Sequence, residues 1–183
     1  MLSPLQIQKL TRYFRVYDVD DDGSIGKADF ERVLENLRAL HDLRDGAPRW
    51  AALRQAYLHR WEAVRTSADV DEDGGVDLGE WLDYWDALLA DGDRYDAEVS
   101  GLVDRLHALF DTDESGRIDV DEFCNFYGAF GLRAEVAREV FDGLDGNGDG
   151  TVSRAELTEM AHQFYRSDDP AAPGNRLYGP LEA

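Results

Sequence analysis

The sequence predicts an all-α fold built from four helix–loop–helix units arranged in two pairs. One observation is that four stretches of twelve residues repeat the same pattern of acidic residues around a central glycine. A second is that apolar residues recur at helical spacing on both sides of these stretches. With 183 residues, 43% of them apolar, the chain is long enough for the two pairs to share a core.

The four stretches have one layout in common. Each begins with Asp, carries oxygen-bearing side chains at positions 3 and 5, Gly at position 6, a β-branched residue at position 8 and a carboxylate at position 12. They are residues 18–29, 69–80, 111–122 and 145–156. A random match to this layout is rare at ordinary residue frequencies, so four matches indicate a repeated functional loop.

Each position has a role in a calcium-binding loop. Side-chain oxygens at positions 1, 3 and 5 converge on the ion, and Gly at position 6 permits the sharp turn. Position 7 supplies a main-chain carbonyl, so its side chain is free to vary. Residues at position 8 are expected to pair between neighbouring loops as a short β-bridge. The carboxylate at position 12 lies in the first turn of the next helix and completes the ligand shell.

These rules give a predicted ligand set for each loop. The first comprises Asp18, Asp20, Asp22, Ser24 and Asp29. The second comprises Asp69, Asp71, Asp73, Gly75, Asp77 and Glu80. The third comprises Asp111, Asp113, Ser115, Arg117, Asp119 and Glu122. The fourth comprises Asp145, Asn147, Asp149, Thr151, Ser153 and Glu156.

The first loop differs from the others at its end. Glu80, Glu122 and Glu156 are long enough to bind an ion through both oxygens, whereas Asp29 is one methylene shorter. Gly26 at position 9 leaves that ligand to water. We therefore expect three or four bound Ca²⁺ ions, with the first loop weaker for Ca²⁺ or carrying Mg²⁺.

The flanking helices are predicted from their apolar stripes. Most are regular, but the helix that enters the second loop has Arg65 where an aromatic residue is expected, although Trp61 and Val64 fit. Two long helices, 28–44 and 48–67, fill the segment between the first two loops, separated at Pro48. The Asp91–Asp93 cluster lacks the loop pattern and is interpreted as a solvated turn.

Three regions follow from this layout. Residues 1–90 form the first pair, residues 91–166 the second pair, and residues 167–183 a tail that packs on the body. The tail is expected to be ordered because Leu177, Tyr178 and Leu181 offer apolar anchors.

The four loops, the long first pair and the tail around Pro173-Gly174-Asn175 together resemble the sarcoplasmic calcium-binding protein and calerythrin group of EF-hand proteins. The resemblance extends over essentially the whole chain. It implies a compact molecule in which the two pairs pack face to face around a shared aromatic core. Members of this group often have one or two degenerate loops, whereas all four loops of this chain keep their ligands.

Composition narrows the possible partners. The formal net charge of −20 disfavours nucleic acid and anionic membranes. A single cysteine fits a reducing compartment, and the N-terminus has no signal-peptide pattern, so a cytoplasmic location is expected. A monomer is also expected. Only two of the 19 basic residues are lysines, a bias that we interpret as that of a GC-rich bacterial genome.

No residues have the arrangement of an activated nucleophile or a phosphate-binding loop, so an enzyme is not predicted. Three interpretations remain: a calcium buffer, a calcium sensor with a dedicated protein partner, and a carrier of an apolar small molecule. Promiscuous sensors use flexible Met-rich grooves, and this chain has only two methionines. The sequence therefore favours the buffer.

Overall fold

The computed structural model describes residues 1–40 and 48–181, and the predicted all-α fold is confirmed there. The described chain forms eight α-helices: α1 (Pro4–Tyr17), α2 (Lys27–Leu40), α3 (Pro48–Ala68), α4 (Leu78–Ala90), α5 (Gly92–Phe110), α6 (Val120–Ala129), α7 (Ala134–Leu144) and α8 (Arg154–Arg166). A short 3₁₀ turn, Pro173–Arg176, follows α8. No helix within this part of the chain is long and apolar enough to cross a bilayer.

Four two-residue strands join the loops in pairs, as the β-branched residues at position 8 predicted. Strands β1 (Ser24–Ile25) and β2 (Val76–Asp77) are antiparallel, with Ile25 opposite Val76. Strands β3 (Ile118–Asp119) and β4 (Thr151–Val152) pair likewise, with Ile118 opposite Val152. All four of these apolar side chains are at most 1% exposed, so the loop pairs are tied directly to the core.

The connection between the first two loops contains the two long helices expected. The predicted first helix, 28–44, is α2, observed from Lys27 to Leu40; its last four residues lie outside the described part of the chain. Helix α3 begins at Pro48, as predicted, and buries Trp61 and Val64. Arg65 does not fill a core position: its Nη2 lies 3.0 Å from Glu62 Oε2 near the surface.

The expected turn at residues 91–93 is wrong. Asp91 ends α4 and at the same time caps α5, which begins at Gly92. The Asp91 carboxylate accepts a hydrogen bond from the Arg94 backbone N–H at 3.1 Å. An aspartate beside a glycine is typical of a turn, but the same aspartate is a strong helix N-cap, and here capping prevails.

The core is continuous across both pairs of loops. Trp85 of α4 stacks on Tyr165 of α8, with ring centroids 4.4 Å apart. Asn36 of α2 donates its side-chain N–H to the Ala129 carbonyl of α6 at 2.8 Å. Each contact joins a segment before residue 90 to one after it, so the two halves share one interior.

The segment that follows α8 lies against this core. Tyr178 stacks on Tyr13 of α1 at 3.9 Å between ring centroids. Arg12 Nε donates a hydrogen bond to the Tyr178 carbonyl at 2.9 Å, and the Tyr127 hydroxyl donates one to the Leu177 carbonyl. Leu177 itself is 4% exposed, so the segment after α8 packs as part of the interior.

Candidate metal sites

Two left-handed residues give each of the four loops its tight turn. The glycines at position 6 have φ between 81° and 95°, as their type predicts. The residues at position 4 are also left-handed, and three are not glycine: Asp21 (φ 58°), Glu72 (φ 60°) and Glu114 (φ 61°). The ligand pattern gave no reason to expect this second turn, because position 4 contributes no ligand.

The aspartates at position 1 anchor three of the four turns. In the first loop, Asp18 accepts hydrogen bonds from the backbone N–H groups of Asp22 at 3.1 Å and Gly23 at 3.0 Å. Asp111 and Asp145 accept the corresponding pairs in the third and fourth loops.

Asp69 in the second loop is different. Its Oδ1 is buried and has no hydrogen-bond partner among the described residues. A buried acceptor without a donor is costly, and a bound cation would satisfy it.

Carboxylate oxygens converge in three loops. Within each set, one oxygen per residue lies within 4.8 Å of the others; the sets are Asp18, Asp20 and Asp22; Asp69, Asp71 and Asp73; and Asp111, Asp113 and Glu122. Oxygens this close can share one Ca²⁺, which binds them at about 2.3–2.6 Å.

The carboxylates at position 12 close their loops through backbone N–H groups. Glu80 accepts from Val70 at 2.7 Å and from Asp77 at 3.1 Å. The shorter Asp29 accepts from the equivalent residues, Val19 at 3.0 Å and Gly26 at 2.7 Å. Asp29 therefore reaches the same two backbone groups as the longer glutamate does in the second loop.

Burial and crowding affect the acid at the start of the first loop. Burial raises the pKa of Asp18, the backbone N–H groups of Gly23 and Asp22 lower it, and the neighbouring charges of Asp29 and Asp22 raise it. The net pKa is above the usual value, mainly because burial disfavours the charged form of the carboxylate.

The side chains at position 9 serve the helices that follow. Asp77, Asp119 and Ser153 each accept a hydrogen bond from the backbone N–H of the glutamate at position 12, and that glutamate bonds back to the cap. This reciprocal arrangement is a capping box. The ligand pattern predicted these residues only as metal ligands and gave no indication of their capping role.

The side chains at position 7 meet across each loop pair. A Cβ atom on Gly75 would lie 2.2 Å from Ser24 Oγ, so no larger residue fits there without a shift of Ser24. In the other pair, Arg117 reaches across to the fourth loop, with Nη1 2.6 Å from Asp149 Oδ2 and 3.0 Å from Thr151 Oγ1. The choice of side chain at position 7 is therefore more restricted than it would be if this residue contributed only its main-chain carbonyl.

The fourth loop is held by side chains of mixed type. The Asn147 amide donates to Glu156 Oε1 at 2.9 Å, which joins positions 3 and 12 directly. The Thr151 hydroxyl and the Arg117 guanidinium lower the pKa of Asp149.

All predicted metal-ligand atoms in the four loops are oxygens. Oxygen ligands fit a hard divalent cation such as Ca²⁺ and not a metal that prefers thiolate or imidazole ligands.

Comparison with known proteins agrees with this geometry. The sequence model of the EF-hand family matches residues 11–34, 108–127 and 137–161. Calerythrin from Saccharopolyspora erythraea is 25% identical over 167 residues, which cover 90% of this chain and 94% of calerythrin. Sarcoplasmic calcium-binding proteins I, III and IV of Branchiostoma lanceolatum are 25% identical over 183 residues, covering 97% of this chain and 98% of theirs.

A solved structure with the same fold is the calcium-loaded coelenterazine-binding protein of Renilla muelleri. The TM-score is 0.79 at 23% identity, over 98% of this chain and 100% of that one. Fold, loops and relatives together define an EF-hand protein. The chain is a calcium-binding EF-hand protein of the sarcoplasmic and calerythrin type.

Proposed function

We propose that the protein is a monomeric cytosolic calcium buffer, with no enzymatic activity, that binds three or four Ca²⁺ ions. The ligands are the side chains predicted at positions 1, 3, 5 and 12 of each loop and the carbonyl at position 7. The observation that carries the buffer role is the closed aromatic core. Among the described residues, the only large hydrophobic side chains that are well exposed are Met1, Ile7 and Val70.

A closed core distinguishes a buffer from a sensor. A sensor must convert ion binding into a new apolar surface, because a ligand shifts an equilibrium only through its different affinity for two shapes. The contacts of Trp85 with Tyr165 and of Tyr17 with Phe130 cross between the two halves, and opening either pair of loops would break them.

The carrier interpretation is suggested by the Renilla protein, because its name states that it binds coelenterazine. In this chain, the apolar cavity between Tyr17, Phe110, Phe126 and Leu177 has a volume of about 20 Å³. That is room for one water molecule and too little for an organic molecule. This cavity therefore gives no support to a carrier of apolar ligands.

The first loop is proposed to hold Mg²⁺ when Ca²⁺ is scarce. A carboxylate that binds through one oxygen leaves the six-ligand shell that Mg²⁺ prefers, and Asp29 is the short residue at that position. Asp29→Glu should raise the Ca²⁺ affinity of one site and lower its Mg²⁺ affinity in calorimetric titrations.

The buffer role is tested with an uncharged hydrophobic dye, Nile red. Ca²⁺ should lower or leave unchanged its fluorescence with the protein, while helicity and melting temperature rise. A variant with Asp29, Glu80, Glu122 and Glu156 all changed to the amide should show no response to Ca²⁺. Increased dye binding on Ca²⁺ addition, together with Ca²⁺-dependent retention of a specific protein, would establish a sensor instead.

A further inference from the structure

A cavity opens at the surface between α7 and the segment that follows α8. Its volume is about 420 Å³, within the range of cavities that bind small organic molecules. Glu139, Val140 and Gly143 of α7 form one side of it, and residues of the segment 170–181 form the other. The cavity is separate from the four loops, because none of their residues lines it.

Two opposite charges line this cavity and are not paired. Glu139 and Arg176 are both exposed, and neither side chain forms an ion pair or a hydrogen bond with any residue in the described part of the chain. The carboxylate and the guanidinium therefore do not reach each other across the cavity. This arrangement leaves room for a ligand that offers an ammonium group to Glu139 and a carboxylate to Arg176.

The lining of the cavity also includes a buried amide. Asn175 is 3% exposed, and its side-chain N–H donates a hydrogen bond to the Asp169 carbonyl at 2.9 Å. Its Oδ1 is buried and accepts no hydrogen bond from residues 1–40 or 48–181. A buried acceptor without a donor is unfavourable, and an N–H group of a ligand would supply the missing donor.

A glycine in α7 keeps the cavity open. A Cβ atom added to Gly143 would have no other atom within 4 Å, and its backbone is not left-handed, so neither packing nor backbone conformation requires glycine there. Glycine inside a helix is destabilising relative to alanine. Apolar side chains, among them those of Val140, Pro173 and Leu181, line much of the rest. The cavity thus offers free space and apolar surface beside its two charges.

We propose that this cavity binds a small zwitterion, a molecule with an ammonium group, a carboxylate and an apolar body. Glu139 pairs with the ammonium group, Arg176 pairs with the carboxylate, and the apolar body lies against Val140 and Leu181. Asn175 Oδ1 accepts a ligand N–H. Apolar amino acids and short apolar peptides share this chemistry. The proposal does not depend on the calcium-buffer role, because no predicted metal ligand contributes to the site.

Leucine and leucyl-leucine are the probes that distinguish the two sources of this chemistry. In calorimetric titrations of the calcium-loaded full-length protein at low salt, at least one of them should bind at one equivalent, and the tighter one identifies the class. Its N-acetyl derivative lacks the ammonium group and its amide lacks the carboxylate, so each should bind about two- to fivefold more weakly. No saturable binding of either probe up to about 10 mM, or equal binding of the derivatives, would overturn the proposal.

Substitutions assign the site to its residues. Glu139→Gln should weaken binding of the tighter probe but not of its N-acetyl derivative, and Arg176→Gln should weaken the probe but not its amide. Glu135→Gln and Arg138→Gln are the matched controls, because both residues are exposed on α7 and neither lines the cavity. Gly143→Leu should fill the cavity and abolish binding of the probe, with the melting temperature unchanged. Equal effects of the cavity and control variants, or undiminished binding by Gly143→Leu, would contradict the assignment.

Discussion

At the scale of single residues, the carboxylate at position 12 links metal binding to the fold. Glu122 is 8% exposed, accepts hydrogen bonds from the Thr112 N–H and hydroxyl, and also bonds to the cap at Asp119. The same group is positioned to close the ligand shell. The negative charge of Glu122 is therefore more important for ion binding than for these hydrogen bonds, because an amide can partly replace the carboxylate as their acceptor.

Glu122→Gln should remove one equivalent of bound Ca²⁺, because the amide has lost the charge and one good oxygen ligand. Calorimetric titration measures the stoichiometry. Glu114→Gln is the control, since Glu114 lies exposed at position 4 of the same loop and should leave the stoichiometry unchanged. An equal loss of bound Ca²⁺ in both variants would mean that the net charge of the loop, and not ligation by Glu122, determines Ca²⁺ binding.

Lys9 is a second residue whose environment has a measurable consequence. It is fully buried, and its Nζ donates hydrogen bonds to the Ser167 carbonyl at 2.7 Å and the Gln163 carbonyl at 3.1 Å, at the end of α8. Burial lowers its pKa to about 8 from 10.5, although Asp168 acts in the opposite direction.

The sign of the pH effect follows from that shift. Below pH 8 both states carry the proton and the cost of burying the charge is present in full. Between pH 8 and 10.5 the unfolded state binds more protons, so stability rises with pH. From pH 7.5 to 9.5 the free energy of unfolding should increase by about 1–2 kcal/mol relative to Lys9→Met. A difference between the two proteins that is constant with pH would show that the amine is not desolvated.

At the scale of elements, the loops and their helices were predictable because their signals are local. Within each helix–loop–helix unit, the Asp and Gly positions, the apolar stripes and the β-branched residue at position 8 lie within about thirty residues of one another. Contacts between distant segments were not predictable. The contact of Arg117 with Asp149 depends on the register of β3 against β4. The start of α5 at Gly92 depends on the Asp91 cap, and an aspartate before a glycine is equally typical of a turn.

Arg117→Gln should raise the Ca²⁺ affinity of the fourth loop by about two- to tenfold at low salt. The guanidinium occupies Asp149 Oδ2 and repels an incoming cation, and both effects end with the substitution. The gain should disappear in a Glu156→Gln background, which disables that loop. Arg138→Gln, an exposed change of equal charge on α7, should give no comparable gain.

The segment after α8 should contribute to stability through Tyr178. Tyr178→Ala removes the stack on Tyr13 and the hydroxyl contact with Tyr165 at 3.1 Å, and should cost about 2–3 kcal/mol. Tyr178→Phe keeps the stack and should cost much less. Deletion of residues 170–183 should lower the melting temperature of the calcium-loaded protein; an unchanged melting temperature would argue against a structural role for the tail.

At the scale of the whole molecule, four acidic loops are attached to one closed core. The family resemblance implied a shared aromatic interior, and the described contacts between α4 and α8 and between α2 and α6 form it. The loops lie at the surface of this body, where ions can enter without opening it.

The central claim, that the four loops bind calcium as EF-hands, is tested most directly by calorimetric titration of the metal-free protein with CaCl₂. We expect three or four equivalents of bound Ca²⁺, with the loops that end in Glu80, Glu122 and Glu156 filled in every case. A stoichiometry of two or fewer would contradict it.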